Sequence, residues 1–129
     1  MKRILVVDDE VDVLTILSIA LQMHDYEVAT AGDGEEALAM LRAAAVEERP
    51  FDALLLDMAM PRVDGWYVLH QVRKDPALKN LPIIAVTGKV VSPEDIARIG
   101  VLGAIYVDKR NDYVERVLEV VKGLSGANG

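Results

Sequence analysis

The sequence predicts an α/β fold, a parallel sheet with helices on both faces. Short β-branched apolar runs alternate along the chain with longer stretches of helical period, the pattern of successive right-handed βαβ crossovers. The runs Ile4–Val7 and Ala53–Leu56 are apolar on both faces, as strands covered from two sides must be. The 129 residues are 52% hydrophobic and only 5% aromatic, enough for one aliphatic core without stapling.

Taken in order, Ile4–Val7 is a strand ended by Asp8–Asp9, and Val11–Met23 is a helix with Leu14, Leu17 and Leu21 on one face. Glu27–Ala31 is a weaker strand. Gly32–Gly34 is a turn, and Glu35–Arg42 is a helix with acids in its first turn, extendable until Pro50 stops it. Asp52–Leu56 is a strand running into Asp57, and a helix spans about Gly65 to Lys74. Pro82–Val86 is the fourth strand. Ser92-Pro93-Glu94-Asp95 is a helix start, with Ser as cap, Pro at the first helical position and acids in the first turn, and Gly100 and Gly103 close that helix. Ala104–Val107 is the fifth strand, and Val114, Val117, Leu118 and Val121 form the apolar stripe of the last helix. Strands one, three and four are the most apolar and are expected at the centre. The domain is expected over residues 1–124, with a flexible tail at 125–129.

Composition narrows the function. Without Cys there is no disulfide framework, thiol nucleophile or Cys-ligated metal. Fourteen basic residues against 21 acidic ones give a net charge of −7, which disfavours direct contact with nucleic acid or anionic lipid. No apolar run is long enough to span a membrane, so a cytoplasmic location is expected.

In open parallel sheets ligands bind beyond the carboxyl ends of the strands. Those ends carry Asp8, Asp9, Asp57, Thr87 and Asp108–Lys109. Like charges 4 Å apart repel by about 4 kcal/mol at an effective dielectric of 20, so either some acids stay protonated or a cation joins them. A small hard divalent ion such as Mg2+ suits oxygen donors of this kind. Beside a Lys and a Thr, Asp57 makes sense as a nucleophile toward a phosphoryl donor. The cation, the Lys109 ammonium and the Thr87 hydroxyl would each cover part of the transition-state charge.

The segments Ile4-Leu-Val-Val-Asp8-Asp9-Glu10, Ala31-Gly-Asp-Gly-Glu-Glu-Ala-Leu38, Asp57-Met-Ala-Met-Pro61-Arg-Val-Asp-Gly65, Val86-Thr87-Gly88 and Gly103-Ala-Ile-Tyr106-Val-Asp-Lys109 together resemble the response-regulator receiver domain of two-component signalling, up to about residue 124. The resemblance implies a flavodoxin-like, doubly wound sheet of five strands in the order 2-1-3-4-5. It implies phosphorylation of Asp57 by a histidine kinase or phosphotransfer protein, and Thr87 and Lys109 on the phosphoryl group. Mg2+ would be held by Asp9, Asp57 and the backbone carbonyl of Ala59, with Asp8 reaching it through water. Tyr106 falls at the family's switch-aromatic position, and the face of the fourth helix, fifth strand and fifth helix would engage a downstream protein, with no enzymatic turnover beyond the domain's own phosphorylation and dephosphorylation. Exposed apolar residues near the fourth helix, with Val90, Val91 and Ile99 as candidates, would favour such docking.

Receivers usually carry Pro after the Lys, commonly in a cis bond; here Arg110 follows, and a cis bond before a non-proline costs about 2.5–4 kcal/mol, so a trans bond is expected. Ala59 and Lys89, each two past a key residue, lie where side chains gate an attacking water. His24 and His70 are expected at the surface, Met58 and Met60 in loop packing, and Trp66 half-buried. The alternatives are a degenerate receiver that binds partners without phosphorylation, the first domain of a longer regulator, and a small Asp-nucleophile phosphatase, whose Asp-x-Asp signature the adjacent Asp8–Asp9 lack. A flavodoxin-like nucleotide binder is disfavoured because the three carboxylates would repel phosphates.

Overall fold

The computed structural model describes residues 2–88, 92–110 and 112–126. Five strands and five helices alternate: β1 (Arg3–Val7), α1 (Val11–Met23), β2 (Glu27–Ala31), α2 (Gly34–Val46), β3 (Ala53–Leu56), α3 (Gly65–Lys74), β4 (Ile83–Thr87), α4 (Pro93–Val101), β5 (Ala104–Asp108) and α5 (Tyr113–Gly126). All four strand pairings are parallel, in the order β2-β1-β3-β4-β5, as expected. The central strands β1, β3 and β4 are the most deeply buried, because helices cover both of their faces.

Strand alternation divides the core in two. Leu5, Val7, Leu54, Leu56, Ile83 and Ala85 face α2, α3 and α4, which contribute Leu38, Leu41, Val68, Leu69 and Ile99. Ile4, Val6, Leu55, Ile84 and Val86 face α1 and α5, which contribute Leu17, Leu21, Val117 and Val121. Side-chain caps set three helix starts: Asp33 Oδ1 accepts from Glu36 N at 2.8 Å, Asp64 Oδ1 from Tyr67 N at 3.0 Å, and Ser92 Oγ from Asp95 N at 3.1 Å.

α2 takes up the extension the sequence allowed, through the Ala43–Ala45 run of strong helix formers, and ends before Pro50. Other boundaries differ from the sequence reading. β4 reaches Thr87 and β5 reaches Asp108 because those two residues pair with each other. Gly100 lies inside α4 and does not close it, since Leu102 is the cap. Ile99 is a correction: it is fully buried in the core, and among the described residues the exposed large apolar ones of this region are Ile96, Val101 and Ile105. Lys89, Val90 and Val91 lie outside the described residues. So do residues 127–129 of the expected tail, while the α5 backbone extends to Gly126.

Arg73, at the end of α3, bonds to backbone carbonyls. Its Nε donates to the Leu102 carbonyl at 2.6 Å, one terminal nitrogen to Lys79 and Leu81 at 3.0 and 2.8 Å, and the other to Gly103 at 3.3 Å. Burial lowers its pKa. The same helix bears half-buried Trp66, with the Arg98 guanidinium of α4 lying 4.4 Å from the ring centre.

Candidate functional site

Parallel register sets the site. Val7 pairs with Leu56, so Asp8 and Asp57 leave neighbouring strands side by side, and Thr87 pairs with Asp108, which places Lys109 just beyond. Backbone bonds continue past the strand ends, from Asp8 N to the Ala31 carbonyl, Asp57 N to Val7 and Lys109 N to Thr87. Asp8, Asp57 and Thr87 are the buried polar or charged residues among those described.

Lys109 joins the acids. Its Nζ lies 2.6 Å from Asp8 Oδ2, 3.4 Å from Glu10 Oε1 and 3.7 Å from Asp57 Oδ2. Its stem passes Gly88, with Cβ and Cδ each 3.4 Å from where a Cβ there would stand. Asp8 Oδ1 accepts from Glu10 N at 2.9 Å, and Asp57 Oδ1 accepts from Ala59 N at 3.0 Å. Carboxylate oxygens of Asp8, Asp9 and Glu10 lie within 4.8 Å of one another.

Burial governs the electrostatics. Desolvation raises the pKa of Asp57 from 3.8 to about 6, helped by the charges of Asp8 and Asp9 and opposed by the Ala59 N–H and by Lys109. Desolvation also raises Asp8, against the bond from Lys109. Burial alone would lower Lys109, but its bond to Asp8 and the charges of Asp57, Asp8 and Glu10 outweigh it and raise the pKa. Among the described residues two or three acids share one ammonium, which leaves the pocket an excess of negative charge. Its donors are all hard oxygens, which suits a divalent cation of the Mg2+ class.

Of the residues singled out in the sequence, Asp8, Asp57, Thr87 and Lys109 converge here. Asp9 joins the site at its exposed rim, and Ala59 contributes its N–H. Glu10 was not singled out. Its signal was the third acid of the Asp8–Glu10 run, which reads equally well as the flank of α1. Tyr106 shares the α2/α3/α4 face of the sheet with Thr87 and is only partly buried against that core. The Lys109–Arg110 bond is trans, as expected, and still delivers the ammonium. Of the remaining assignments, Met58 and Met60 are buried and His24 is exposed, while His70 is partly buried.

The loop after Asp57 is pressed down by α3. A Cβ at Gly65 would stand 2.5 Å from both the Asp57 carbonyl oxygen and the Met58 Cα, closer than any packing allows. Gly65→Ala therefore displaces the backbone that bears Asp57, with an expected loss of about 2–3 kcal/mol in urea unfolding. An unchanged midpoint would contradict this contact.

Comparison with known proteins agrees with this architecture. The family profile described as "Response regulator receiver domain" matches residues 4–120. The chain is 36% identical over 117 residues to the probable transcriptional regulatory protein TcrX of Mycobacterium tuberculosis, covering 91% of this chain and 47% of that protein. It is 42% identical over 88 residues to the alkaline phosphatase synthesis transcriptional regulatory protein PhoP of Bacillus subtilis, covering 68% of this chain and 34% of that one. The chain thus spans about a third to a half of these relatives. Among solved structures, the chemotaxis protein CheY4 of Vibrio cholerae superposes with a TM-score of 0.83 at 32% identity, over 96% of this chain and 98% of that one. The response regulator TrrA of Thermotoga maritima superposes with a TM-score of 0.79 at 35% identity, over 96% and 99%. With its sheet order, its acidic pocket and these matches in agreement, the chain belongs to the response-regulator receiver domain family of two-component signalling.

Proposed function

We propose that Asp57 accepts a phosphoryl group from the phosphohistidine of a histidine kinase or phosphotransfer protein, and that the resulting acyl phosphate resets the α4-β5-α5 face for a downstream protein or a further relay step. The observation that carries this reading is the buried Asp8–Lys109–Asp57 cluster at the carboxyl edge of the sheet. The Asp57 carboxylate attacks phosphorus, and the phosphorus–nitrogen bond of the donor breaks. The leaving imidazole keeps the electron pair and takes up a proton. With a pKa of about 6, Asp57 is mostly ionised at pH 7 and competent to attack. The Ala59 N–H orients its carboxylate. Lys109 and the Thr87 hydroxyl meet the charge that develops on the transferring oxygens.

Asp8, Asp9, Asp57 and the Ala59 carbonyl would hold Mg2+, with Glu10 at the rim, and the ion would supply positive charge to offset the acids and the incoming phosphoryl group. The solved structure of TrrA is described as a complex with Mg(2+)-BeF, which supports this reading. Thr87 then draws inward toward the phosphoryl oxygens and Tyr106 follows into the space it leaves. Exposed Ile96, Val101 and Ile105 give the α4-β5 surface apolar area for a protein partner.

The test is acetyl phosphate or beryllofluoride treatment with and without Mg2+, read by mass spectrometry. Labelling is expected to need Mg2+ and to vanish in Asp57→Asn. Label that persists in that variant refutes the nucleophile. A chain that takes no label while still binding partners is a phosphorylation-independent module. Mg2+ alone is expected to raise the melting temperature, by about 1.4 kcal/mol of added stability at ten times its Kd. An unmoved melting curve at millimolar Mg2+ would count against the metal site.

A further inference from the structure

α3 begins hard against the loop that bears Asp57. Gly65 N donates to the Met58 carbonyl at 3.3 Å, and the missing side chain of Gly65 lets the helix start in contact with the Asp57 carbonyl and the Met58 Cα. Trp66, the chain's single Trp, is the next residue along and is joined to that loop through the backbone. Its ring is half-buried against the core that α2, α3 and α4 share, and the Arg98 guanidinium of α4 lies over it, 4.4 Å from the ring centre. The same guanidinium lies 3.7 Å from Asp95, three residues earlier on α4, whose N–H donates to Ser92 Oγ. Asp95 is a partner within α4; the ring is a partner on α3. Continuous contact thus runs from the Asp57 backbone through Gly65 and Trp66 to α4.

We propose that the Trp66–Arg98 stack couples α4 to the loop that bears Asp57, by a linkage that does not pass through Thr87 and Tyr106. This rests on the reading in which phosphorylation of Asp57 resets the α4-β5-α5 face. A cation over an indole face is held by the negative charge of the ring's quadrupole, and Trp is the best of the aromatic partners. That attraction weakens as the guanidinium leaves the ring, so the position of α4 and the position of the loop each bias the other. Arg73 holds the Leu102 carbonyl at the base of α4, and Arg98 stands one turn before that base. A tilt of α4 about its base therefore works against the stack. By linkage, a ligand at Asp57 that shifts the loop changes the equilibrium of α4, and a change in α4 alters the binding of that ligand by the same factor. Arg98 is a positioning residue that acts through Trp66.

The test compares wild type with Arg98→Ala, Asp95→Asn, Trp66→Leu and the double variant Arg98→Ala/Trp66→Leu. The Arg98 side chain is 56% exposed, so its removal leaves the core intact. Hydrogen exchange of the α4 amides is expected to be about three- to tenfold faster in Arg98→Ala, the change that a stack of ordinary strength implies. Helix propensity works the other way, because Ala is a better helix former than Arg. Asp95→Asn is expected to leave the exchange within about twofold of wild type, and the double variant to exchange no faster than Trp66→Leu alone. The amide resonances of Met58 and Ala59 are expected to move in Arg98→Ala and to stay in place in Asp95→Asn. A structural role confined to α4 would speed exchange in α4 and leave Met58 and Ala59 unmoved. With Mg2+ and beryllofluoride, the change in α4 exchange on binding is expected to be at least halved in Arg98→Ala. The coupling is overturned if Met58 and Ala59 keep their wild-type resonances in Arg98→Ala, or if the effects of the two single substitutions on exchange multiply in the double variant. Those arms need no phosphoryl mimic, so they decide the coupling even if wild type fails to bind beryllofluoride, a result that would overturn the phosphoacceptor reading instead.

Discussion

Asp57→Asn is expected to abolish phosphorylation and, at pH 7 without Mg2+, to make the fold more stable. Burial raises the native pKa of Asp57 from 3.8 to about 6, so the folded state holds its proton more tightly than the unfolded chain. Between these values the native state binds more protons, and stability therefore falls as pH rises from about 4 to about 6. Above about pH 6 the whole cost is present. The shift corresponds to about 3 kcal/mol at 1.36 kcal/mol per unit, an upper limit because Lys109 loses part of its pairing in the variant. A gain of about 1–3 kcal/mol at pH 7 is expected in urea unfolding, shrinking toward zero near pH 4, while Mg2+ stabilises the variant less than wild type. A variant that is less stable than wild type at pH 7, with the same pH slope, would contradict the charge-repulsion account.

Lys109→Met carries the opposite sign. It strips the 2.6 Å bond from Asp8 and the nearest described cation from Asp57, leaving the buried acids without an ion-pair partner among the described residues. Breaking a buried pair by removing one partner costs about 3–5 kcal/mol, and the ability of these acids to take up protons trims this to about 2–4. The native pKa of Lys109 lies above its ordinary 10.5, so its stabilising effect is complete at pH 7 and declines only as pH climbs beyond 10.5. Labelling by acetyl phosphate is expected to slow about 100- to 1000-fold, the scale for losing one donor to a developing oxyanion. Arg110→Ala should change it less than tenfold. Equal losses in the two variants would remove Lys109 from the phosphoryl site.

The strand order and the converging residues were legible because the signals are local. Continuous apolar runs ending in Asp8, Asp57, Thr87 and Lys109 mark buried parallel strands, and parallel strands bring their carboxyl ends together. What escaped depends on orientation. Ile96, Ile99 and Val101 sit on one nine-residue helix, and nothing local says which of them meets the sheet; packing against β5 chose Ile99. Glu10 reads as one more acid beside α1 until Lys109 arrives from 99 residues away. The Asp108 carboxylate reads as a solvated charge, and only the side-chain rotamers reveal that it pairs with Arg110.

Arg73 has a consequence for how α4 travels. By grasping the carbonyls of Leu102 and Gly103 it nails the far end of α4 to α3 with charge that stays constant across the physiological pH range. A rod fastened at one end swings; it does not slide. Nine residues make a lever of about 13 Å, so a tilt of about 10° sweeps its opposite tip through about 2 Å and leaves its base still. If phosphorylation at the proposed site moves α4, the displacement is expected to be largest at its Ser92 end and smallest at Leu102.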